Sequence, residues 1–236
     1  MPAPLPTTAE ILASKEILKG VEAWADRKVV GVGEHFIVKF GAHNDQVEGD
    51  NRLFLEQNNC GEFAPRLYAM WKAEDGKLYL VMERLRGKTL ECLWPALREA
   101  EKSMILSKIK MLFTKLRAIP HRGFFGSVDE TKSRLIAEQN QRQSHLADFF
   151  EQCLSRDLVD NRPPVFMHSD LQRKNLLIET DEKDKSCLSV KLVDWEYVAA
   201  FFAFKWDGDW CTRVSYIIDA WPAEIAMKMI YQDLWF

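Results

Sequence analysis

No stretch of this chain is apolar for long enough to cross a bilayer. The longest such run, Tyr197 to Phe204, falls far short of the roughly 20 residues a spanning helix needs. Met1 to Pro6 lacks the apolar segment of a secretion signal, so a cytoplasmic protein without a membrane partner is expected. Cysteine is scarce and patternless. Cys60, Cys92, Cys153, Cys187 and Cys211 are odd in number, scattered and free of any C-x-x-C spacing, which argues against a disulfide framework or a thiolate zinc site. Neither sign of charge prevails: 32 Lys and Arg against 35 Asp and Glu leave a net −3. With no basic block and no nucleic-acid module, nucleic acid is not an expected partner. Repeats and low-complexity tracts are missing too, and oligomeric state leaves no signature.

What is present is a chain of 236 residues, 47% hydrophobic, long enough to bury a substantial core as one two-lobed unit or two small domains. Its reactive side chains concentrate in Val165 to Asn175, V-F-M-H-S-D-L-Q-R-K-N. Pro163 and Pro164 forbid helix just before it, and the apolar Leu176-Leu177-Ile178 follows, so His168 to Asn175 reads as a loop between short strands. Asp170 and Asn175 stand five apart in that loop. A second carboxylate, Asp194, closes a second strand-like run, Val190 to Val193. An Asp-to-Asn pair alone is ordinary turn chemistry. Asp, Asn and Asp in this order suit phosphoryl transfer from a metal nucleotide. One carboxylate accepts the proton of a substrate hydroxyl, while the amide oxygen and the other carboxylate hold Mg²⁺ against the phosphates.

Local patterns outline the elements. Thr7-Thr8-Ala9-Glu10 is a capping box, predicting a helix toward Lys19 with Ile11, Leu12, Ile17 and Leu18 buried. Residues 28–33 and 35–40 read as strands about a turn at Gly33-Glu34. Within the second, Lys39 is either a snorkelling surface residue or a phosphate-gripping lysine. Residues 45–58 suggest a helix with Val47, Leu53, Phe54 and Leu55 inward. Leu67 to Lys72 and Lys77 to Met82 flank a hairpin turn, Ala73 to Gly76. Thr89 can cap a short helix ended by Pro95, and Ile105, Ile109, Leu112, Leu116 and Ile119 mark one face of a long helix from about Glu99. A further helix is expected near 131–154. Leu176–Ile178 and Leu188–Val193 should pair across a charged tip, Thr180 to Ser186, bringing Asn175 and Asp194 to one end of that hairpin. His168 reads as a buried brace of the loop.

The H-x-D-x-x-x-x-N run from His168 to Asn175, with D-W-E at Asp194 to Glu196, resembles the aminoglycoside phosphotransferase and choline-kinase-like family, especially its fungal-type phosphotransferase enzymes. Val38-Lys39-Phe40-Gly41 and Val81-Met82-Glu83 through Gly87, Thr89, Leu90, Glu91, Leu93, Trp94 and Pro95 carry the likeness further, over roughly Val29 to Trp210. The resemblance implies an α+β, protein-kinase-like two-lobed fold. Residues 1–86 would form a small β-rich lobe, and 87–236 a mainly helical lobe holding the catalytic-loop β-hairpin. It implies ATP or GTP with Mg²⁺, Asp170 as base, and Asn175 and Asp194 on the metal. Lys39 would grip phosphates, paired with Glu48, with Asp50 and Glu56 as rivals. Gly31 and Gly33 would approach the nucleotide, and Met82, Glu83 and Leu85 would form the hinge, with the Glu83 carbonyl and Leu85 amide facing the base. Gln172, where serine/threonine kinases carry lysine, and the lack of A-P-E after Asp194 favour a small-molecule hydroxyl over a protein substrate. Trp206-Asp207-Gly208-Asp209-Trp210 either packs or attracts a cationic group of that substrate. The chain departs from the family between Trp195 and Trp210, where no proline occurs and Ala199-Ala200 replaces a glycine turn. Because Gly31-x-Gly33 lacks the third glycine and most of the loop expected over phosphates, a catalytically inactive nucleotide-binding or scaffold protein of the same fold is the alternative.

Overall fold

The computed structural model describes residues 1–20, 27–42, 44, 46–120, 166, 168, 170–180, 188–195 and 209–218. The helix expected at 131–154, the 163–164 prolines, the hairpin tip 181–186, Glu196 and the aromatic stretch 197–208 lie outside them. The chain divides into two compact units, Met1–Lys88 with Leu177–Glu196, and Thr89–Leu176 with Tyr197–Phe236. Against the expected boundary at 86/87, the first unit thus reclaims the hairpin that sequence order had assigned to the second.

A five-stranded antiparallel sheet, order β1-β2-β3-β5-β4, builds the first unit. Its strands are β1 (Ile17–Lys19), β2 (Arg27–Val32), β3 (Phe36–Gly41), β4 (Leu67–Lys72) and β5 (Leu78–Glu83). The strand alternation of side chains sorts β3 and β5 onto two faces. Phe36, Val38 and Phe40 join Tyr79 and Val81 around Val30 and Ile11. Leu78, Leu80 and Met82 gather Ile37, Leu67 and Met70 on the other side. Phe40 and Trp71 each stack on Tyr79, centroids 5.2 and 5.1 Å apart. Each pair adds about 1 kcal/mol beyond burial.

Lys39 falls on the second face, in register with Leu80. Helix α2 (Val47–Gln57) packs on β4. A side chain at Gly49 would collide with Met70, so glycine permits that approach. The inward residues of α2 correct the expectation: Glu48, Gly49, Asn51, Arg52 and Leu55 are buried, whereas Leu53 is exposed. A buried ammonium opposite the helix makes a polar face the stable one, because each charge there finds a partner.

The first helix, α1 (Thr8–Ala13), carries the expected capping box but ends six residues short of Lys19. The Ser14 hydroxyl donates to the Gly31 carbonyl (2.6 Å), and the Gly31 N–H to the Glu16 carbonyl (2.9 Å). Those bonds divert the chain into β1, an edge strand whose three side chains are exposed. Leu12, Ile17 and Leu18 therefore stay in solvent, and of the expected apolar face only Ile11 is buried. A three-stranded sheet, β6-β7-β8, contains β6 (Lys88–Thr89), β7 (Leu176–Thr180) and β8 (Leu188–Leu192). Gly87, at φ 121°, lies too close to the Ile178 carbonyl for any side chain.

The second unit has α3 (Leu90–Leu93), capped by the Thr89 hydroxyl, and a 3-10 turn over Trp94–Ala96. Then comes α4 (Glu99–Arg117), which buries the predicted Ile105, Ile109, Leu112 and Leu116 together with Leu106 and Phe113. Helix α5 (Trp210–Ile217) packs against α4. Among the described residues no helix is long and apolar enough to cross a membrane.

Candidate active site

In the first unit the Lys39 ammonium, buried on β3, contacts Glu48 Oε2 at 2.8 Å and Asp194 Oδ1 at 3.0 Å. Of the three acids considered on α2, Glu48 is the one whose carboxylate reaches it, while Glu56 pairs with Arg66 at 3.7 Å on the surface. The other oxygen of Glu48 receives Arg52 Nη2 at 2.6 Å, and Arg52 Nη1 donates to the Pro65 carbonyl at 2.9 Å. Burial pushes the Glu48 carboxyl up, but Arg52 and then Lys39 outweigh it and hold the group below its usual range. An ionised carboxylate clamped by two cations leaves Lys39 a defined position. Sequence reasoning missed Arg52, although its i+4 spacing from Glu48 was the available signal.

Asp194 follows β8 with φ 67°, in the left-handed region. A non-glycine residue holds that conformation at a cost of about 1–2 kcal/mol. Its turn is fastened twice: Asn51 Nδ2 donates to the Trp195 carbonyl at 2.7 Å, and the buried Trp195 indole to the Leu192 carbonyl at 2.9 Å. Lys19, at the end of β1, comes within 3.6 Å of Asp194 Oδ2. The end of β1 therefore lies beside the Lys39–Asp194 pair. Gly20 follows it, where φ is 77° and a side chain would strike the Arg27 carbonyl. Gly20 is the sole glycine before Gly31, a signal that the sequence reading passed over.

Gly31 and Gly33 sit elsewhere, in β2 and in the β2–β3 turn. There the Arg84 guanidinium donates to the Gly33 carbonyl (2.9 Å) and pairs with Glu16, whose carboxylate fills the space a Gly31 side chain would need. This turn faces the Arg84 end of the sheet rather than Lys39. On the expected hinge, Met82 is buried in the α2-side core. The Glu83 carboxylate takes the Arg66 N–H (3.2 Å) and Lys191 (3.3 Å), and the Leu85 N–H has no hydrogen-bond partner among the described residues.

The second unit holds the catalytic-loop residues. Asp170 Oδ2 accepts from Asn175 Nδ2 at 2.8 Å, and its Oδ1 from the Gln172 side-chain amide. Asn175 Nδ2 also reaches the Asp170 carbonyl (3.0 Å), and the Asp170 N–H donates to Nδ1 of the fully buried His168 at 3.3 Å. His168 thus braces the loop, as expected. Two amide donors leave the Asp170 carboxylate aimed, with lone pairs to spare for a hydroxyl proton. The same bonds turn Asn175 so that its buried Oδ1 has no partner among the described residues. Trp210 donates its indole N–H to the Leu171 carbonyl (2.9 Å), while Asp209 accepts from the Trp94 indole (3.0 Å) and from Arg213 (3.4 Å). Trp210 thus braces the loop and Asp209 ties the start of α5 to Trp94, which is the packing alternative of the two sequence readings.

Asp194 and Asn175 fall in different units and are described within each. Both offer hard oxygens, one from a carboxylate and one from a buried amide without a partner among the described residues, which is the donor chemistry Mg²⁺ takes. Among the described residues no group of three or more His, Cys, Asp or Glu forms a protein cage for a metal. Mg²⁺ needs none, since it is usually held by one or two carboxylates, substrate phosphates and water.

Solved structures of aminoglycoside phosphotransferases share the fold. Aminoglycoside phosphotransferase APH(4)-Ia, as a thermostable mutant in ternary complex with AMP-PNP and hygromycin B, aligns over 81% of this chain and 72% of its own, with 15% identity and a TM-score of 0.52. The GDP and kanamycin complex of APH(2")-IIia aligns over 80% and 70%, with 16% identity and a TM-score of 0.50. The apo form of the APH(4)-Ia mutant aligns over 77% of this chain, with 14% identity and a TM-score of 0.49, and the chain spans only 66% of its length. No curated protein matches. The fold is α+β and protein-kinase-like, as its sheet and helices and these neighbours agree. The model of the phosphotransferase enzyme family matches residues 18–199, most of the sequence, and the chain belongs to that family.

Proposed function

We propose that the chain is an ATP- or GTP-dependent phosphotransferase that uses Mg²⁺ and acts on a hydroxyl of a small molecule. The observation that carries this reading is the buried ammonium of Lys39, held between Glu48 and Asp194. A lysine fixed by one carboxylate and set beside a second is the arrangement that binds nucleotide phosphates next to a metal. Lys39 steadies the phosphates, Glu48 and Arg52 hold Lys39, and the Glu83 carbonyl and Leu85 amide seat the base. Asp194 and the Asn175 amide oxygen are the groups that would hold the metal, which when bound would neutralise charge on the transferred phosphoryl group. Asp170, aimed by Gln172 and Asn175, orients the substrate hydroxyl and accepts its proton. Catalysis on this reading is positioning plus electrostatic stabilisation, with little covalent work for the protein. Relatives in complex with nucleotides and with kanamycin or hygromycin B support a small-molecule acceptor, and a cytoplasmic setting suits the reading.

The test is transfer of labelled γ-phosphate from ATP and GTP across a panel of aminoglycosides and simple alcohols. Transfer or slow hydrolysis that disappears in Asp194→Ala supports the proposal. Protein that binds no nucleotide and transfers to no acceptor overturns it.

A further inference from the structure

We propose that Asn51 is a positioning residue for Asp194, setting the direction of the metal-facing carboxylate from outside the site; the role rests on the phosphotransferase reading above. Asn51 lies three residues past Glu48 on the buried face of α2 and is fully buried. Its amide donates at 2.7 Å to the carbonyl of Trp195, the residue directly after Asp194. Asp194 occupies the left-handed region, a conformation that persists only where the surroundings determine it. Within the first unit the Trp195 indole bond to Leu192 anchors that turn from its own strand, and Asn51 anchors it from the helix.

Packing alone does not call for an amide at position 51. Its Oδ1 is buried without a partner among the described residues, a cost that leucine of similar size would avoid. The donor therefore has a task, and its target is the backbone that aims Asp194. Helix α2 then governs both parts of this cluster, presenting Glu48 to Lys39 and Asn51 to the Asp194 turn. Partners one layer behind a metal ligand commonly change metal affinity 10- to 100-fold when lost.

The experiment measures Mn²⁺ affinity in the presence of ADP, from the free-ion resonance signal, for the parent, Asn51→Leu and Asn51→Asp. The expected result is a loss of about 10-fold in Mn²⁺ affinity in both variants. Their affinity for ADP without metal should stay within about twofold of the parent, and kcat should fall with little change in nucleotide KM. Folded variants that keep parental Mn²⁺ affinity overturn the role of Asn51, as does an equal loss of ADP affinity, which marks general damage. If neither variant folds, amide exchange on the parent decides. Mn²⁺ with ADP should protect residues 47–57 together with 192–195, because coupling is reciprocal, and protection confined to 192–195 overturns the proposal. A parent that binds neither ADP nor Mn²⁺ with ADP sinks the phosphotransferase reading itself, whereas transfer by the parent with indifferent Asn51 variants removes this role alone.

Discussion

Two side chains of the proposed site, Asp170 and Glu48, each owe their setting to neighbours. Asp170 is aimed by amide donors from Gln172 and Asn175. Asp170→Asn keeps the size of the side chain and removes the proposed proton acceptor. Turnover should fall by a factor on the order of 10³ while nucleotide affinity changes less than about twofold, as steady-state kinetics and calorimetry would show. Glu48 depends on cations. Its folded-state carboxyl lies below the ordinary value despite burial, held there by Arg52 and Lys39. Its ionised form therefore stabilises the fold above the unfolded-state value of about 4.3, and that contribution is lost as pH falls through the lower folded value. Arg52→Met removes one of the two clamps. Denaturant unfolding should show a loss of about 3 kcal/mol at neutral pH, near the low end for a broken buried pair because Lys39 remains, and acid unfolding should begin at higher pH.

The elements around those residues show how far local pattern reaches. Alternation located β2 to β5, since an amphipathic or fully buried strand writes its period into the sequence. It failed at 14–19, where helical spacing of Ile11, Leu12, Ile17 and Leu18 competed with pairing to β2 and lost to the Ser14–Gly31 and Gly31–Glu16 bonds. That strand delivers Lys19 and Gly20 to the Asp194 neighbourhood. The two turn glycines should respond differently to alanine. Gly33→Ala meets open space and should cost about 1 kcal/mol for its positive φ, whereas Gly20→Ala must also displace the Arg27 backbone and should cost about 3 kcal/mol or more. Thermal denaturation of the pair tests this, and equal losses would contradict the close approach at Gly20.

At the level of the whole molecule, binding should appear as stability. With nucleotide and Mg²⁺ at about 100 times the dissociation constant, unfolding free energy should rise by about 2.7 kcal/mol, seen as a higher Tm. Chelation should remove the metal-dependent part and abolish transfer, and Mn²⁺ should restore both. A Tm indifferent to nucleotide at saturating Mg²⁺ would contradict the proposed function. By itself the sequence determined the order and type of the reactive groups, the strands with a clear period, the capping of α1 and α3, and the apolar face of α4. These follow from residue chemistry acting over one or two turns of chain. Only the tertiary structure decided which acid of α2 meets Lys39, that Arg52 and Asn51 turn inward, that Leu177–Glu196 joins the first unit, and that Gly20 rather than Gly33 adjoins the charged pair. Lys39 meets a carboxylate 155 positions away and Asn51 a carbonyl 144 away. Propensity and spacing are blind at that range, because such contacts are chosen by the need of each buried charge or donor for a partner once the sheet and helix have packed.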